Sequence, residues 1–411
     1  MHAIYEKQPT NSAQAPKSSP TPFPSLPLIG HLYLLRKPFH RALSEISNRY
    51  GPLIFLRFGS RPVLLISSPS LAEECFTEND IIFANRPSLL NGKHFGYNYT
   101  SIPWSPYGDH WRNLRRIASL DLLSSHRIHT LSRIRTDEIR VLIRKLFRLG
   151  EENPGKSVHV KEALFEFTFN ALTGMICGKR YFGENVENLK ESEIFRDIIN
   201  ETVRVVPDAQ EKRDRFMQNV LQELRRLENG DSSVPKSDNA GKKKIIAEVL
   251  LDMQKSEPTY YTDEMIRNLL LKLEASPARP AVIASRIVGD CTVGGFRVPR
   301  GTILLVNVWH IEIALRFGRT LDNSSPRGFG ILKAGKNGCE FLPFGSGRRA
   351  CPGENLAMRV VALALGTLIQ CFEWEKVCEI DMNEGTGFTA PKIQPLTARC
   401  CPRPDIVNLL D

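Results

Sequence analysis

The chain has 411 residues, of which 42% are hydrophobic and 24% charged, a balance that is typical of a folded protein and excludes an intrinsically disordered one. Its 55 basic and 45 acidic residues give a net charge of +10, but the basic residues are scattered and are not interleaved with aromatic residues as in a nucleic-acid-binding surface. We therefore expect no nucleic-acid partner, and we interpret the charge as general basicity that favours an anionic membrane surface or an acidic protein.

The N-terminal region is predicted to be a polar segment followed by an extended connector. Residues 1–15 are polar, and the four prolines between 20 and 27 are too closely spaced for a helix or a central strand. No run of about 18 apolar residues occurs, so the sequence predicts neither a signal peptide nor a membrane span. We assign residues 1–29 to this connector and residues 30–411 to one folded domain.

The folded region is predicted to begin with a helix over 38–49 and a β-hairpin over 52–69. The hairpin segment is rich in β-branched and aromatic residues on both sides of a Gly-Ser turn. Pro69 then begins a predicted helix that contains the sequence LAEECF.

A mainly helical body is predicted from Pro106 to Gly230, because nearly every window has helical spacing. Residues 229–244 are polar and predict a loop, a helix is predicted over 245–254, and another follows the capping-box-like TDEM at 262–265. The segment 291–309 returns to strand composition, with Gly-Gly and Pro-Arg-Gly turns. Beyond it, 310–340 has no convincing periodicity.

The nine cysteines form no C-x-x-C pair and have no spaced histidine partners. This pattern argues against a disulfide framework and a structural zinc site, and favours a reducing compartment. One cysteine stands in a dense pattern, Phe344-x-x-Gly347-x-Arg349-x-Cys351-x-Gly353. Five identities over ten positions are a specific signal for a functional loop.

The residues of this pattern are suited to hold a thiolate beside a flat cofactor. Cys351 lies just before Pro352 and a helix predicted to run to about Phe372, whose N-terminal dipole and free amides would stabilise a thiolate. The glycines at 345, 347 and 353 would let the backbone approach a cofactor closely, and Phe344 could shield one side of the sulfur. Arg349 is suited to a carboxylate.

Two other interpretations of this segment remain. Cys351 could be a buried, inert cysteine beside a tight turn. The stretch GSGRRA at 345–350 also fits the glycine pattern of a dinucleotide-binding fold, with Glu373 about twenty residues later. Only some sixty residues follow, without alternating strands and helices, and this disfavours the dinucleotide interpretation.

Trp111 and Arg115 lie four residues apart in YGDHWRNLRR, on one face of a predicted helix. An indole N–H and a guanidinium in this arrangement could both reach one carboxylate. The pattern is short, and an ordinary core or surface helix explains it equally well.

The loop around Cys351 resembles the haem-binding loop of the cytochromes P-450, with Cys351 in the place of the axial thiolate. The W-x-x-x-R helix resembles the one that holds a haem propionate in plant microsomal members of that family. Further segments are similar to plant family 81, whose members include isoflavone hydroxylases; they are LIGHLYLL (28–35), YGPLIFLRFGSRPVLLISSPSLAEECF (50–76), ANRP (84–87), GYNYT (96–100) and CTVGGFRVPRGT (291–302).

The resemblance implies a mainly α fold, the multi-helical haem domain of the cytochromes P-450 with a small β-rich region, incomplete here in its central helices. It implies haem b as cofactor, with the iron ligated by a thiolate that favours O–O cleavage. The cofactor-binding residues that it implies are Trp111, Arg115, Phe344, Gly347, Arg349, Cys351, Gly353 and Ala357, with Cys351 as the metal ligand.

The implied activity is a monooxygenase that hydroxylates a small apolar or phenolic plant metabolite of flavonoid type. Its implied partners are O2, an NADPH-cytochrome reductase as electron donor, and the small-molecule substrate. The implied location is the cytosolic face of the endoplasmic reticulum membrane with peripheral membrane contact, or the cytosol, since the sequence predicts no anchor.

Three departures from the family pattern set a second hypothesis beside this one. The A-G-x-D-T-type stretch that delivers protons to dioxygen is replaced by KLEASPARPAV, in which Pro277 and Pro280 would break a helix. The meander before the cysteine loop is replaced by residues 311–330. The alternative is therefore a non-catalytic remnant with weak or no haem binding, and we assign no catalytic acid.

The third departure concerns the family's E-x-x-R ion pair, which has four matches in the chain. None stands where the family order requires it, and we interpret all four as exposed i, i+3 helix pairs. They are Glu193/Arg196, Glu201/Arg204, Glu223/Arg226 and Glu264/Arg267.

Overall fold

A computed structural model describes residues 24–152, 157–183, 186–203, 209–230, 243–274, 282–312, 339, 341–384 and 392–404. These residues form two compact units. Unit 1 comprises the described residues up to Pro87 and those between 282 and Arg348, and unit 2 comprises all the others.

The described elements are mainly helical, with three small sheets. The strands are β1 (Leu53–Phe58), β2 (Arg61–Ile66), β3 (Val158–His159), β4 (Ile283–Arg286), β5 (Cys291–Val293), β6 (Phe296–Val298), β7 (Ile303–Val306), β8 (Phe372–Lys376) and β9 (Thr397–Pro402). The helices are α1 (Phe39–Tyr50), α2 (Pro69–Phe76), α3 (Leu90–His94), α4 (Asp109–Arg116), α5 (Ser125–Thr130), α6 (Ser132–Glu152), α7 (Val160–Cys177), α8 (Leu189–Val203), α9 (Ala209–Glu228), α10 (Ile246–Ser256), α11 (Asp263–Glu274) and α12 (Glu354–Cys371).

Unit 1 is built on a four-stranded sheet in the order β1-β2-β7-β4. β1 and β2 form the predicted antiparallel hairpin, which turns at Gly59 in a left-handed conformation (φ +61°). β7 is parallel to β2 and antiparallel to β4. Both faces of β2 are covered, since Leu64 and Ile66 belong to one core cluster and Val63 and Leu65 to another. This explains why the β2 sequence is continuously apolar at its end and does not alternate.

Unit 2 is the helical body predicted from residue 106 onward. A single large core joins α6 and α7 to α9, α10, α11 and α12, with Phe167, Leu221 and Ile266 among its fully enclosed side chains. A three-stranded antiparallel sheet in the order β3-β9-β8 closes one edge of this unit. The fold class is therefore mainly α with small β regions, as predicted.

α12 begins at Glu354, three residues after Cys351, and ends close to the predicted position. Its residues at fourfold spacing enter the core of unit 2: Leu356, Val360, Ala364 and Leu368. By length and composition, α12 is also the one helix among the described residues that could span a membrane, which is weak evidence on its own. The buried share of its apolar window is 28%. The sequence analysis did not identify it as such a helix.

Other predicted elements are also observed. The helix over 38–49 is α1, the helix over 245–254 is α10, and the capping motif at 262 precedes α11, where Thr262 Oγ1 accepts the Met265 N–H at 3.3 Å. The 291–309 segment contains β5, β6 and β7. Several segments named in the sequence analysis lie outside the described residues: most of the predicted loop 229–244, Pro277, Pro280 and most of 311–330.

Candidate functional site

Cys351 lies in unit 2, between a single 3-10 turn at Gly347–Arg349 and the start of α12. Its side chain is partly exposed, and Gly353 forms the N-cap of α12. A Cβ placed on Gly353 would lie 3.7 Å from Cys351 Sγ, in van der Waals contact. The glycine therefore leaves one side of the sulfur uncovered.

Arg349 joins this loop to the chain that precedes α4. Its Nη1 donates to the Ile102 carbonyl oxygen at 3.1 Å, and its Nη2 donates to the Ser105 carbonyl oxygen at 2.6 Å. The guanidinium also lies over the Trp111 ring, 4.4 Å from the ring centroid. Trp111 Nε1 donates to the same Ile102 oxygen at 3.1 Å, so the indole and the guanidinium converge on one acceptor.

Arg115 connects α4 to the residue before the cysteine. Its Nη1 donates to the carbonyl oxygen of Ala350. Burial lowers the pKa of Arg115, and the charge interaction with the nearby Cys351 acts in the opposite direction. The prediction that Trp111 and Arg115 share a helix is confirmed by α4, and unit 2 brings both to the loop of Arg349 and Cys351.

These four residues fit a haem by the chemistry of their donors. Two guanidiniums and an indole N–H are suited to carboxylate oxygens, and a thiol is suited to iron. In this structure every one of the three cationic or indole donors bonds a backbone carbonyl oxygen. The donors are thus directed at oxygen acceptors in one region, and a carboxylate could replace those acceptors without a change of donor.

Phe344 and Gly347 belong to unit 1, where the structure gives Gly347 a packing role. Its φ is +68°, and a Cβ there would lie 2.8 Å from Asp80 Oδ1 and 2.9 Å from the Phe76 carbonyl oxygen. Asp80 also accepts the Arg348 N–H at 3.1 Å and pairs with its side chain at 2.9 Å. Close packing against α2 and the left-handed backbone are therefore sufficient reasons for glycine at 347.

Ala357, the remaining predicted cofactor-binding residue, lies in the first turn of α12 and is partly buried. Its N–H donates to the Gly353 carbonyl oxygen at 2.9 Å, which is the first regular turn of the helix. It offers no polar side chain, so any contact with a cofactor would be apolar.

The E-x-x-R motifs whose residues are described do lie on helices, but the interpretation as i, i+3 pairs is wrong where partners are seen. Arg196 Nε donates to the Tyr181 carbonyl oxygen at 3.0 Å, Glu223 pairs with Lys179 at 2.6 Å, and Arg267 donates to Gln218. Tertiary neighbours offer better-aligned partners than the residue one turn away. Arg204 lies outside the described residues.

The sequence analysis missed three groups of this site. The carbonyl oxygens of Ile102 and Ser105 are backbone atoms, and nothing in the side-chain pattern marks them as acceptors. Asp80 was not singled out, because its role depends on a contact with Gly347 more than 260 residues later in the chain. An aspartate shortly after a helix gave too weak a signal to identify it.

The fold and this site define a protein of cytochrome P450 type. Solved structures of a zebrafish cytochrome P450 superpose with TM-scores of 0.67 (with abiraterone) and 0.68 (with progesterone), cover 89% of this chain and 99–100% of theirs, and share 18–19% identity. At that identity they establish the fold alone.

The sequence pattern of the Cytochrome P450 family matches residues 20–277 and 275–396. Cytochrome P450 81Q32 of Catharanthus roseus is 35% identical over 93% of this chain and 91% of that protein. Isoflavone 3'-hydroxylase of Medicago truncatula is 35% identical over 93% and 92%. The chain belongs to the cytochrome P450 family, whose members are monooxygenases, and resembles its plant family 81.

The family match is interrupted immediately after α11. Its two pieces meet at 275–277, and α11 ends at Glu274. The alignment with the Catharanthus relative has 472 positions, whereas 93% of 411 residues is about 382, so about 90 aligned positions have no residue in this chain. The interruption agrees with the predicted loss of the central helices.

Proposed function

We propose that this chain is a haem-thiolate monooxygenase that hydroxylates a small apolar or phenolic plant metabolite of flavonoid or isoflavonoid type. In the overall reaction one atom of O2 enters a C–H bond of the substrate and the other leaves as water. NADPH supplies the two electrons through a reductase, and the second proton comes from solvent. A bound haem would supply the oxygen chemistry, with its iron held by the Cys351 sulfur.

The observation that carries this proposal is the convergence of donors beside Cys351. Arg349, Trp111 and Arg115 direct their N–H groups at oxygen atoms of residues 102, 105 and 350. We propose that they bind the two carboxylates of the cofactor and so orient it over the sulfur. Phe344, Gly347, Gly353 and Ala357 would complete the lining, as the resemblance implies.

The substrate class rests on the relatives. Two of them are named isoflavone 3'-hydroxylase and isoflavone 2'-hydroxylase, both of Medicago truncatula, at 35% and 34% identity. A third, from Sesamum radiatum, is named (+)-piperitol/(+)-sesamin synthase and is 33% identical. Aromatic, oxygen-bearing plant metabolites are therefore the first compounds to test.

For electron supply and location we propose the arrangement that the resemblance implies. An NADPH-cytochrome reductase would donate electrons, and the chain would work at the cytosolic face of the endoplasmic reticulum membrane with peripheral contact. The net charge of +10 would favour both an acidic partner and an anionic surface.

Haem binding is tested by a difference spectrum. The chain is expressed with haem supplied, reduced, and exposed to carbon monoxide, with Cys351→Ser as the matched variant. We expect a Soret band at the position of thiolate-ligated haem in the wild type and its loss in the variant. Absence of haem uptake by a folded wild type would overturn the site assignment.

Turnover is tested separately, as NADPH consumption with a reductase and product formation over a panel of flavonoids and isoflavonoids. Hydroxylated product in a 1:1 ratio to NADPH is the expected result. A fully haem-loaded chain that consumes no NADPH with any compound would contradict the proposed activity while leaving the site intact.

A second candidate, a non-catalytic haem-binding remnant, is favoured by one observation. The family match breaks at 275–277, and about 90 positions of the alignment with the Catharanthus relative have no residue in this chain. Haem binding with a thiolate-type spectrum but without turnover would select this candidate.

A further inference from the structure

Asp80 contacts the 3-10 turn at Gly347–Arg349, which ends two residues before Cys351. Its Oδ1 accepts the Arg348 N–H at 3.1 Å, and its Oδ2 lies 2.9 Å from Arg348 Nε. Both contacts lie within unit 1. One carboxylate therefore holds the backbone and the side chain of the same residue of the turn.

A single 3-10 turn needs such a partner for its first amides. The N–H groups at the start of a helix have no acceptor within the helix, and a side-chain oxygen from the preceding residue usually supplies one. Here the oxygen comes from Asp80, 268 residues earlier in the chain than Arg348. The conformation of this turn is therefore stabilised by a tertiary contact.

The Asp80 carboxylate lies on a well-supported part of unit 1. The Asp80 N–H donates to the Thr77 carbonyl oxygen at 3.4 Å, and the flanking Phe76 and Phe83 are buried in the core. Gly347 packs against the same place, because a Cβ there would lie 2.8 Å from Asp80 Oδ1 and 2.9 Å from the Phe76 carbonyl oxygen. The turn thus lies directly on its anchor, with no space for a side chain between them.

The Asp80 contact differs from the other contacts near Cys351 in the group that it holds. Arg349 is bonded through its side chain. The Ala350 carbonyl oxygen accepts from Arg115, a donor that we propose for a carboxylate of the cofactor. The Asp80 carboxylate is an acceptor and bonds a backbone N–H, so a bound cofactor would not compete for it.

We infer that Asp80 is a positioning residue for the metal ligand: it fixes the backbone of the turn, and the turn fixes where the Cys351 sulfur lies. The inference rests on the proposed function, in which that sulfur ligates the haem iron. A mobile turn would let the sulfur take up a proton and become a weaker, thiol-type ligand. Loss of Asp80 should therefore change the kind of ligation and not only the stability of the fold.

The carbon monoxide difference spectrum of the haem-loaded chain tests this inference. In Asp80→Ala we expect the thiolate-type Soret band to fall at least about threefold per bound haem, with a thiol-type band in its place. Asp80→Asn should keep most of the thiolate-type band, because an amide oxygen still accepts the Arg348 N–H. Arg348→Ala is the matched control, since it removes the ion pair but keeps the backbone bond, and its spectrum should equal that of the wild type.

Hydrogen–deuterium exchange gives a second readout that needs no haem. The amide of residue 348 should exchange at least about tenfold faster in Asp80→Ala than in the wild type. In Arg348→Ala it should exchange at the wild-type rate once the intrinsic rates of the two residue types are taken into account. Unchanged exchange in β2, also in unit 1, would show that the variants are folded.

Three outcomes would overturn the role of Asp80. They are a wild-type spectrum and exchange rate in Asp80→Ala, an equal loss in Asp80→Ala and Arg348→Ala, and faster exchange in Asp80→Ala with an unchanged spectrum. The second would assign the effect to the ion pair, and the third would restrict Asp80 to fold stability. A folded wild type that takes up no haem would instead overturn the proposed function, and the inference with it.

Discussion

Cys351 and the end of α11 lie in the same unit but differ in how far the chain around them follows the pattern of the family. At the loop, two guanidiniums and an indole N–H donate to three carbonyl oxygens, one of which belongs to the residue before Cys351. At the end of α11 the helix stops at Glu274, and the family match breaks within the next three residues.

The contrast shows that the two parts of the site depend on different lengths of chain. The donors that we propose to bind the cofactor lie on two short segments, 109–116 and 344–357. The resemblance to the family places the proton-delivering group on a long central helix, and the family match is interrupted at 275–277. We therefore propose that the loop can retain its cofactor-binding role where the oxygen-activating part is altered.

The prediction with the largest expected effect concerns Cys351 as the proposed ligand of the haem iron. Cys351→Ser should abolish the thiolate-type carbon monoxide spectrum completely, because a hydroxyl does not ligate haem iron as a thiolate does. The exposed Cys378→Ser is the control and should leave the spectrum unchanged. An unaltered band in Cys351→Ser would move the axial ligand to another residue.

The next prediction concerns the interruption of the family match after α11. A chimera that inserts the segment of the Catharanthus relative missing here, after Glu274, should restore the central helices without touching the loop. We expect NADPH-dependent product formation per bound haem to rise at least tenfold. A control insert of the same composition in scrambled order should give no gain, and equal turnover of the chimera and the wild type would show that the interruption does not limit activity.

Substitutions of Arg349 test how much its hydrogen bonds and its stacking on Trp111 stabilise the folded protein. Arg349→Ala removes two hydrogen bonds to carbonyl oxygens and the stacking on Trp111, and should lower the free energy of unfolding of unit 2 by about 2 kcal/mol. Arg349→Lys should recover only part of the lost free energy of unfolding. An ammonium group cannot donate two hydrogen bonds in the planar geometry of a guanidinium and does not stack on an aromatic ring. The neighbouring Arg348→Ala removes an exposed ion pair and should cost less than about 1 kcal/mol by chemical denaturation.

The sequence predicted those parts of the fold whose signal is local. The hairpin β1–β2 follows from apolar residues flanking a turn, and α11 follows from the Thr262 cap. β4, β8 and β9 were not predicted, because they are short and mixed in composition and owe their pairing to distant strands. Phe372, near which the predicted helix ends, is 1% exposed and begins a strand that the sequence did not predict.

The same division holds for the site. Cys351 and Arg349 were identified because the spacing of their motif is specific, whereas Trp111 and Arg115 were identified through the resemblance to the family. The cofactor-binding roles of all four stay predictions. The hydrogen-bond acceptors of these side chains could not be predicted, because they are backbone carbonyl oxygens and every residue type carries one. The partners of the E-x-x-R arginines were likewise set by tertiary packing.

The smallest effect concerns Lys272, in the last turn of α11, and tests whether the end of this helix is packed as observed. Its Nζ donates to the Phe95 carbonyl oxygen at 2.6 Å, and burial, with a contribution from Arg213, lowers its pKa to about 8. An unfolded lysine titrates near 10.4. Between these values the unfolded chain binds more protons than the folded one, so this group makes stability rise with pH from about 8 to 10 and contributes no slope below 8.

Lys272→Met removes this titration, so the wild type should gain about 1 kcal/mol over the variant between pH 7.5 and pH 10, a value discounted for the partial exposure of the lysine. Comparing urea midpoints of the two proteins at each pH cancels the tyrosines and thiols that titrate in the same range. The exposed Lys161→Met should show no such difference from the wild type. A Lys272→Met variant with the same pH slope as the wild type would mean that Lys272, at the end of α11, is open to solvent in the folded protein.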